Sequence, residues 1–507
     1  MKKLKWLIAA SAAMLPTIAA AQTAQTTAGT VKGSTAGTVS SFLGIPYAAP
    51  PVGENRWRAP QPVAAWNGQR EATAYAPDCA QAPFPPDAAP IRTKPSEDCL
   101  YLNVWKPTAA KEGASLPVMV WIHGGGFVNG GSSPAIYSGE NFARDGAVFV
   151  SINYRLGRFG FFAHPGLATE GFGGNFGYLD QIAALQWVKA NISKFGGDPG
   201  NVTVFGESAG GMSMHMLLQS PMARGLFHKV IIESGGGRER ALPMPTIAQS
   251  AAAGVAFAPG LDAAALRALP AEQVTGDLSM MTMGKPGYAG PMVDGRTILG
   301  AGVDGAAAGI YAQVPVMVGA NSADGFPRST DKDVIFGAYG ENEKEARALH
   351  DPDGKVGGLA VGVSTSADAM FIEPARAVAR ALAPRQPTYL FRFGYARPEF
   401  AAMGGAPHAS ELPYVFDTVD VRGNGGGMIK DPRPLTNEIK VATLTHRYWV
   451  SFARTGRPDA EGGVPAWPAA TADDSKVQLI DASGASHVAD PFTARLDFAE
   501  RLATAKH

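Results

Sequence analysis

Ser208 lies in the stretch TVFGESAGG (203–211), between Gly206 and Gly210 and beside an acid, Glu207. A serine hydroxyl becomes a useful nucleophile only when a base takes its proton, and that base needs an acid behind it. The G-x-S-x-G spacing suits this chemistry, because glycine on either side leaves room for a tight, strained turn that exposes the hydroxyl. VTVF before the motif reads as a strand, and GGMSMHMLLQS after it reads as a helix whose positive end faces developing negative charge. A second glycine run, HGGGF (123–127), follows the apolar stretch PVMVWI. Its glycines allow backbone N–H groups to approach a substrate oxygen, so Gly125, Gly126 and the backbone of Ala209 are expected to form an oxyanion hole.

Nine histidines compete for the role of base. His123 belongs to the glycine run, and His215, seven residues past the serine, reads as packed against a sheet. His164, His228, His350, His446 and His507 lack a strand-then-loop setting. His408 and His487 remain, and spacing alone does not separate them.

These groups need a scaffold. Short β-branched and aromatic runs occur at 117–124, 148–155, 202–206, 229–235, 314–321 and 388–395. Helical stretches lie between them, among them 178–195, where Leu179, Ile182, Leu185, Val188 and Ile192 recur at helical spacing. Near-continuous apolar strands alternating with helices predict an α/β chain with a mostly parallel sheet covered on both faces. The glycine- and alanine-rich regions at about 236–310 and 325–375 interrupt the strand rhythm and read as helical cap insertions. RGNGGGM (422–428) reads as a surface loop, since neither a preceding strand nor a following Lys-Ser/Thr makes it a phosphate cradle. No heptad or repeat from which an oligomeric state would follow is present.

The bulk properties narrow the partners. In 507 residues, 44 Lys and Arg balance 44 Asp and Glu without a like-charge run, which speaks against a nucleic-acid footprint and for a small neutral substrate. The first 21 residues have a basic start, an apolar stretch and Ala19–Ala21 before Gln22, the pattern of a cleaved export signal. The apolar run, ended by Pro16, is shorter than the roughly 20 residues of a membrane anchor. Removing the first 21 residues takes away three lysines and moves the formal charge from 0 to −3. The only cysteines, Cys79 and Cys99, are expected to form a disulfide in an exported, periplasmic or secreted chain, and they make a poor metal site.

Several long motifs carry a resemblance: SEDCLYLNVW (96–105), VMVWIHGGGF (118–127), INYRLGRFGF (152–161), the stretch 174–211, YWVSFARTGRP (448–458) and VPAWP (464–468). They resemble the type-B carboxylesterase/lipase family, the cholinesterase-like α/β-hydrolases, across nearly all of residues 22–507. The resemblance implies one α/β-hydrolase catalytic domain and a serine carboxylesterase needing no metal or organic cofactor. It selects His408, in GGAPHASELPYVF (404–416), over His487. It also places Asp324, in VPVMVGANSADGF (314–326), where the family usually carries glutamate. Asp294 and Asp368 are the alternatives, each better read as a loop or capping residue. The turn is expected to direct the Glu207 side chain away from Ser208, and the resemblance implies for it an auxiliary role as a buried carboxylate near the histidine, with structural hydrogen bonding as the alternative.

The substrate expected is a short or medium acyl ester or an aryl ester. Choline esters fit poorly, because the 79–99 loop holds no tryptophan and only one aromatic residue, Phe84. Met280, Met281, Met283 and Met292 could form an adaptable apolar wall. A lipase or a dedicated xenobiotic-ester hydrolase is the second reading. A non-catalytic binding protein of the same family is the third, opposed by the presence of Ser208, Asp324 and His408.

Overall fold

In the computed structural model, residues 22–505 are described apart from 172, 239–243, 284, 286, 301, 422–428 and 474. The expected export signal and the RGNGGGM loop therefore lie outside the described residues. Eleven strands form one sheet, in the order Gly484–Ala489, Lys476–Asp481, Thr388–Phe393, Val316–Asn321, Lys229–Glu233, Gly197–Glu207, Leu116–Ile122, Val148–Ile152, Tyr101–Pro107, Val39–Pro46 and Ser34–Ala36. The run from Lys476–Asp481 to Val148–Ile152 is parallel, and the outer strands on both sides are antiparallel. The six strands expected from the sequence are the six adjacent ones at its centre.

Why these segments are strands is visible in the register. Trp121, Phe205, Ile231, Met317 and Tyr389 stand side by side on successive strands and enter one core. Val120, Val204, Val230 and Val316, one position earlier, form a rung that enters the core on the other face. With both faces covered there is no polar side to the strand, so the sequence runs apolar without alternation. Helix Phe176–Asn191 supplies Ile182, Leu185 and Val188 to the valine face, while helix Thr436–Thr455 supplies Tyr448, Trp449 and Phe452 to the other. Leu179 leaves the helical stripe for a satellite core around Trp57.

After Leu116–Ile122 the chain moves outward to Val148–Ile152, then returns to place Gly197–Glu207 on the opposite side of Leu116–Ile122. The crevice beyond the carboxyl ends of these two strands is thus a switch point, where open α/β sheets bind ligands. The two glycine motifs occupy it. Between Lys229–Glu233 and Val316–Asn321 the chain forms helices Ile247–Phe257, Ala263–Arg267, Ala271–Thr275 and Gly302–Ala308. Between Val316–Asn321 and Thr388–Phe393 it forms Lys332–Gly337, Glu343–His350, Gly358–Ala367, a π-helical turn at Asp368–Ile372, and Glu373–Leu382. The last of these packs Ala375, Val378 and Leu382 into the valine-face core. Among the described residues no helix is long and apolar enough to cross a membrane.

Candidate active site

Ser208 closes the strand Gly197–Glu207 and precedes helix Ala209–Gln219. Its backbone sits at φ 56°, ψ −120°, outside the regions an L-residue ordinarily takes, at a cost of about 1–3 kcal/mol. The N–H of Ser208 donates to the Glu233 carbonyl on the next strand at 3.0 Å, which holds the turn. The flanking glycines are steric requirements: a Cβ on Gly210 would stand 2.0 Å from the Ile122 carbonyl oxygen, and one on Gly206 would stand 2.7 Å from Gly210. The serine side chain remains partly exposed.

The glycine run lies against this turn. A Cβ on Gly124 would approach Glu207 Oε2 to 2.9 Å and Ser208 Cβ to 3.1 Å. His123 is buried, stacks on Tyr154 at 4.5 Å, and is pushed down to about 4 by burial, so it is neutral near pH 7. Its Nδ1 therefore donates to the Gly124 carbonyl at 2.9 Å. The Gly125 carbonyl in turn accepts from Val128 and Asn129 N–H at 3.1 and 2.9 Å. A trans peptide points N–H opposite to C=O, so tying these two carbonyls directs the N–H groups of Gly125 and Gly126 the other way. Among the described residues no carbonyl accepts the N–H of Gly125, Gly126 or Ala209.

His408 and Asp324 are in contact: Nδ1 lies 2.5 Å from Asp324 Oδ1. Asp324 is fully buried, and its other oxygen accepts from Ser234 Oγ at 2.6 Å and from the Asn321 N–H at 2.8 Å. The aspartate thus sits in a turn directly after its strand, anchored by the strand's last residue. Burying an ionised carboxylate is costly unless its lone pairs are filled, and these three donors fill them.

The adjacent acid reaches His408, as the resemblance implies. Glu207 Oε1 lies 3.0 Å from His408 Nε2, although the angles miss hydrogen-bond alignment. Burial, followed by the negative charges of Asp324, Glu233 and Asp87, holds the Glu207 carboxyl well above the ordinary carboxylate range. Beneath lie two further buried acids. Glu233 accepts from Trp449 Nε1 at 2.7 Å, and burial pushes it up to about 8. Glu411 accepts from Asn321 Nδ2 and is likewise raised by burial and by its acidic neighbours. Phe371 stacks on the His408 ring at 4.9 Å, and Phe326 meets it edge-on at 4.8 Å.

The alternatives are occupied elsewhere. His487 is on the outermost strand, five strands from Gly197–Glu207, about 24 Å at ordinary strand spacing. His215 faces Tyr311 Oη at 2.7 Å, and His164 caps a 3-10 turn. Asp294 binds the N–H groups of Arg296, Thr297 and Ile298, and Asp368 pairs with Arg495. Of the methionines, the thioethers of Met280 and Met283 lie beside Gly126, where an added Cβ would meet them at 2.5 and 2.6 Å. Met292 instead packs in the core against Gly174, and Met281 is 69% exposed. Sequence reasoning missed Ser234 and Asn321. Their signal was position: each ends or follows a parallel strand at the same sheet edge as Ser208 and Asp324.

Residues 20–349 and 360–499 match the family described as the carboxylesterase family. The chain belongs to the carboxylesterase family. It is a carboxylic ester hydrolase with the α/β-hydrolase fold. It is 38% identical over 467 residues to the fumonisin B1 esterase of Sphingopyxis macrogoltabida, covering 87% of this chain and 83% of that one. To the para-nitrobenzyl esterase of Bacillus subtilis (strain 168) it is 36% identical over 476 residues, covering 89% and 93%. A solved PNB esterase structure superposes with TM-score 0.79 at 34% identity, over 94% of this chain and 99% of that one. The disulfide expected in this carboxylesterase is present: Cys79 and Cys99 are bonded, with Cα atoms 4.9 Å apart.

Proposed function

We propose that this carboxylesterase hydrolyses small-molecule esters with Ser208 as nucleophile, His408 as base, Asp324 as its orienting acid, and Gly125, Gly126 and Ala209 N–H groups as the oxyanion hole. The observation that carries the reading is the His408–Asp324 hydrogen bond, which fixes the proton on Nδ1 and leaves Nε2, without a hydrogen bond among the described residues, 3.0 Å from Glu207, the neighbour of Ser208. As Oγ attacks the ester carbonyl, its proton passes to Nε2 and the carbonyl oxygen takes up charge among the three N–H groups. Collapse expels the alcohol, which receives the proton from His408. Water then attacks the acyl-serine with the same base and releases the acid. Glu207, its carboxyl 3.0 Å from Nε2, is proposed as the auxiliary acid beside the base.

The thioethers beside Gly126 and the rings beside His408 favour acyl or aryl esters of varied shape over a single polar substrate. Para-nitrobenzyl and fumonisin B1 esters, named for two relatives, are the first to try alongside a chain-length series. Residues 22–507 are proposed to act as one catalytic domain with helical insertions at about 236–310 and 325–375. Export is part of the reading, supported by the disulfide and by the signal pattern of residues 1–21. Ser208→Ala is expected to abolish p-nitrophenyl ester turnover while leaving the melting curve intact, and wild-type rates in that variant would defeat the assignment.

A further inference from the structure

We propose that Tyr288 is a positioning residue for the oxyanion hole, holding the one carbonyl among Gly124, Gly125 and Gly126 that residues 123–129 do not hold themselves. The inference rests on the esterase reading above. Three successive peptides define the run. The Gly124 carbonyl is tied by His123 and the Gly125 carbonyl by Val128 and Asn129, all within residues 123–129. The Gly126 carbonyl has no such local donor. It accepts instead from the Tyr288 hydroxyl, 162 residues further along.

The consequence follows from backbone geometry. Gly126 sits at φ +60°, and its N–H is one of the three proposed above for the oxyanion hole. Its two adjoining peptide planes meet at a glycine Cα, the most permissive hinge a chain can have. Fixing only the first plane leaves the second free to rotate, and Gly126 can then relax from its positive φ. The Gly126 N–H itself lies in the first plane, opposite the Gly125 carbonyl; fixing the second plane as well locks the dihedrals of Gly126, so that relaxation of the chain beyond it does not turn the first plane and its N–H. Tyr288 fixes the second. Burial raises its phenol, so it stays a donor across any pH at which the enzyme is assayed.

A second contact shows that the attachment is more than one bond. The Met280 N–H donates to Asn129 Oδ1 at 2.8 Å, and the Met280 and Met283 thioethers lie over Gly126. Asn129 Nδ2 also donates to Ala82 O at 2.8 Å, and Gln81 pairs with both the N–H and the carbonyl of Gly130 at 2.9 and 2.6 Å. The oxyanion loop is therefore clamped between the disulfide loop on one side and the segment carrying Met280 and Tyr288 on the other. Because the same segment supplies the thioether wall, the shape of the bound ester and the placement of the Gly126 N–H are mechanically linked.

The test is Tyr288→Phe, which removes one hydroxyl and little volume. With p-nitrophenyl butyrate, kcat is expected to fall about tenfold, the scale of one hydrogen bond, with KM within about twofold. A trifluoromethyl ketone adds Ser208 Oγ to its carbonyl, passing the proton to His408 and leaving a hemiketal oxyanion in the hole, so its affinity is expected to fall by the factor seen in kcat. The matching methyl ketone, bound without addition, is expected to hold its affinity. Thermal midpoints are recorded for both proteins, and the ratio of the two ketone affinities is independent of any partial unfolding. Unchanged kcat overturns the proposal, as does equal weakening of both ketones. A Ser208-dependent wild type with a fully active Tyr288→Phe overturns this inference alone, whereas a wild type that turns over without Ser208 overturns the esterase reading as well.

Discussion

Asp324→Asn separates the orienting role of the acid from its charge, and the structure predicts the outcome from hydrogen-bond polarity. Oδ2 receives two donors, the Ser234 hydroxyl and the Asn321 N–H. An asparagine at this position must present its oxygen to the Asn321 N–H, which cannot reverse, so its NH2 group takes the place of Oδ1. That group faces His408 Nδ1, where the carboxylate now accepts at 2.5 Å. A donor there forces the imidazole to accept at Nδ1 and carry its proton on Nε2, the tautomer that cannot deprotonate serine. Loss of the correct tautomer in triads of this type costs about a thousand- to ten-thousand-fold in kcat, or about 4 to 5.5 kcal/mol of barrier. KM for p-nitrophenyl butyrate and the thermal midpoint should change little, since packing and the two Oδ2 bonds survive. Asp324→Glu keeps the acceptor and should remain far more active than Asp324→Asn. An asparagine variant within tenfold of wild type in kcat would refute the reasoning.

Other perturbations address separate parts of the site. Gly126→Ala places a methyl against the Met280 and Met283 thioethers at a positive φ, and should lower kcat about a hundredfold, checked by steady-state kinetics. Glu233 holds a proton in the native state up to about pH 8 that the unfolded chain releases near 4.5, so its contribution to stability is full at low pH and is lost as pH rises through that window. Thermal midpoints from pH 5 to 9 should accordingly decline less steeply in Glu233→Gln than in wild type, and parallel profiles would count against a neutral Glu233. Replacing Cys79 and Cys99 together by serine should cost about 3 kcal/mol for a loop of this length, measured by denaturant unfolding.

Much of this was legible from the sequence because the central strands carry an unmixed signal. PVMVWI and VTVF are buried on both faces, so apolar runs bounded by glycine marked them without help from alternation. The outer strands were not found. Val39–Pro46 and Tyr101–Pro107 mix Ser, Asn and Lys with apolar residues, and Lys476–Asp481 alternates only briefly, so neither period stands out. Within the site, glycine motifs announced themselves because sterics admit nothing larger. The base did not: His408 and His487 both follow apparent strands, and only sheet order, which spacing does not encode, puts one beside Asp324 and the other at the edge. Glu207 as a buried carboxylate near the histidine was legible only through the resemblance, since the strained turn that brings it to His408 leaves no mark in spacing. Tyr288 could not be seen at all, since its partner is a backbone carbonyl 162 residues away.

The most direct measurement is covalent labelling of the nucleophile. The purified enzyme is treated with a diethyl phosphoryl fluoride analogue, and intact mass, peptide mapping and residual p-nitrophenyl ester turnover are followed together. The account predicts one phosphoryl group per chain, located on Ser208, with activity lost in proportion to labelling and no adduct in Ser208→Ala. Labelling at another residue in step with inactivation, or full activity in a chain phosphorylated at Ser208, would contradict it.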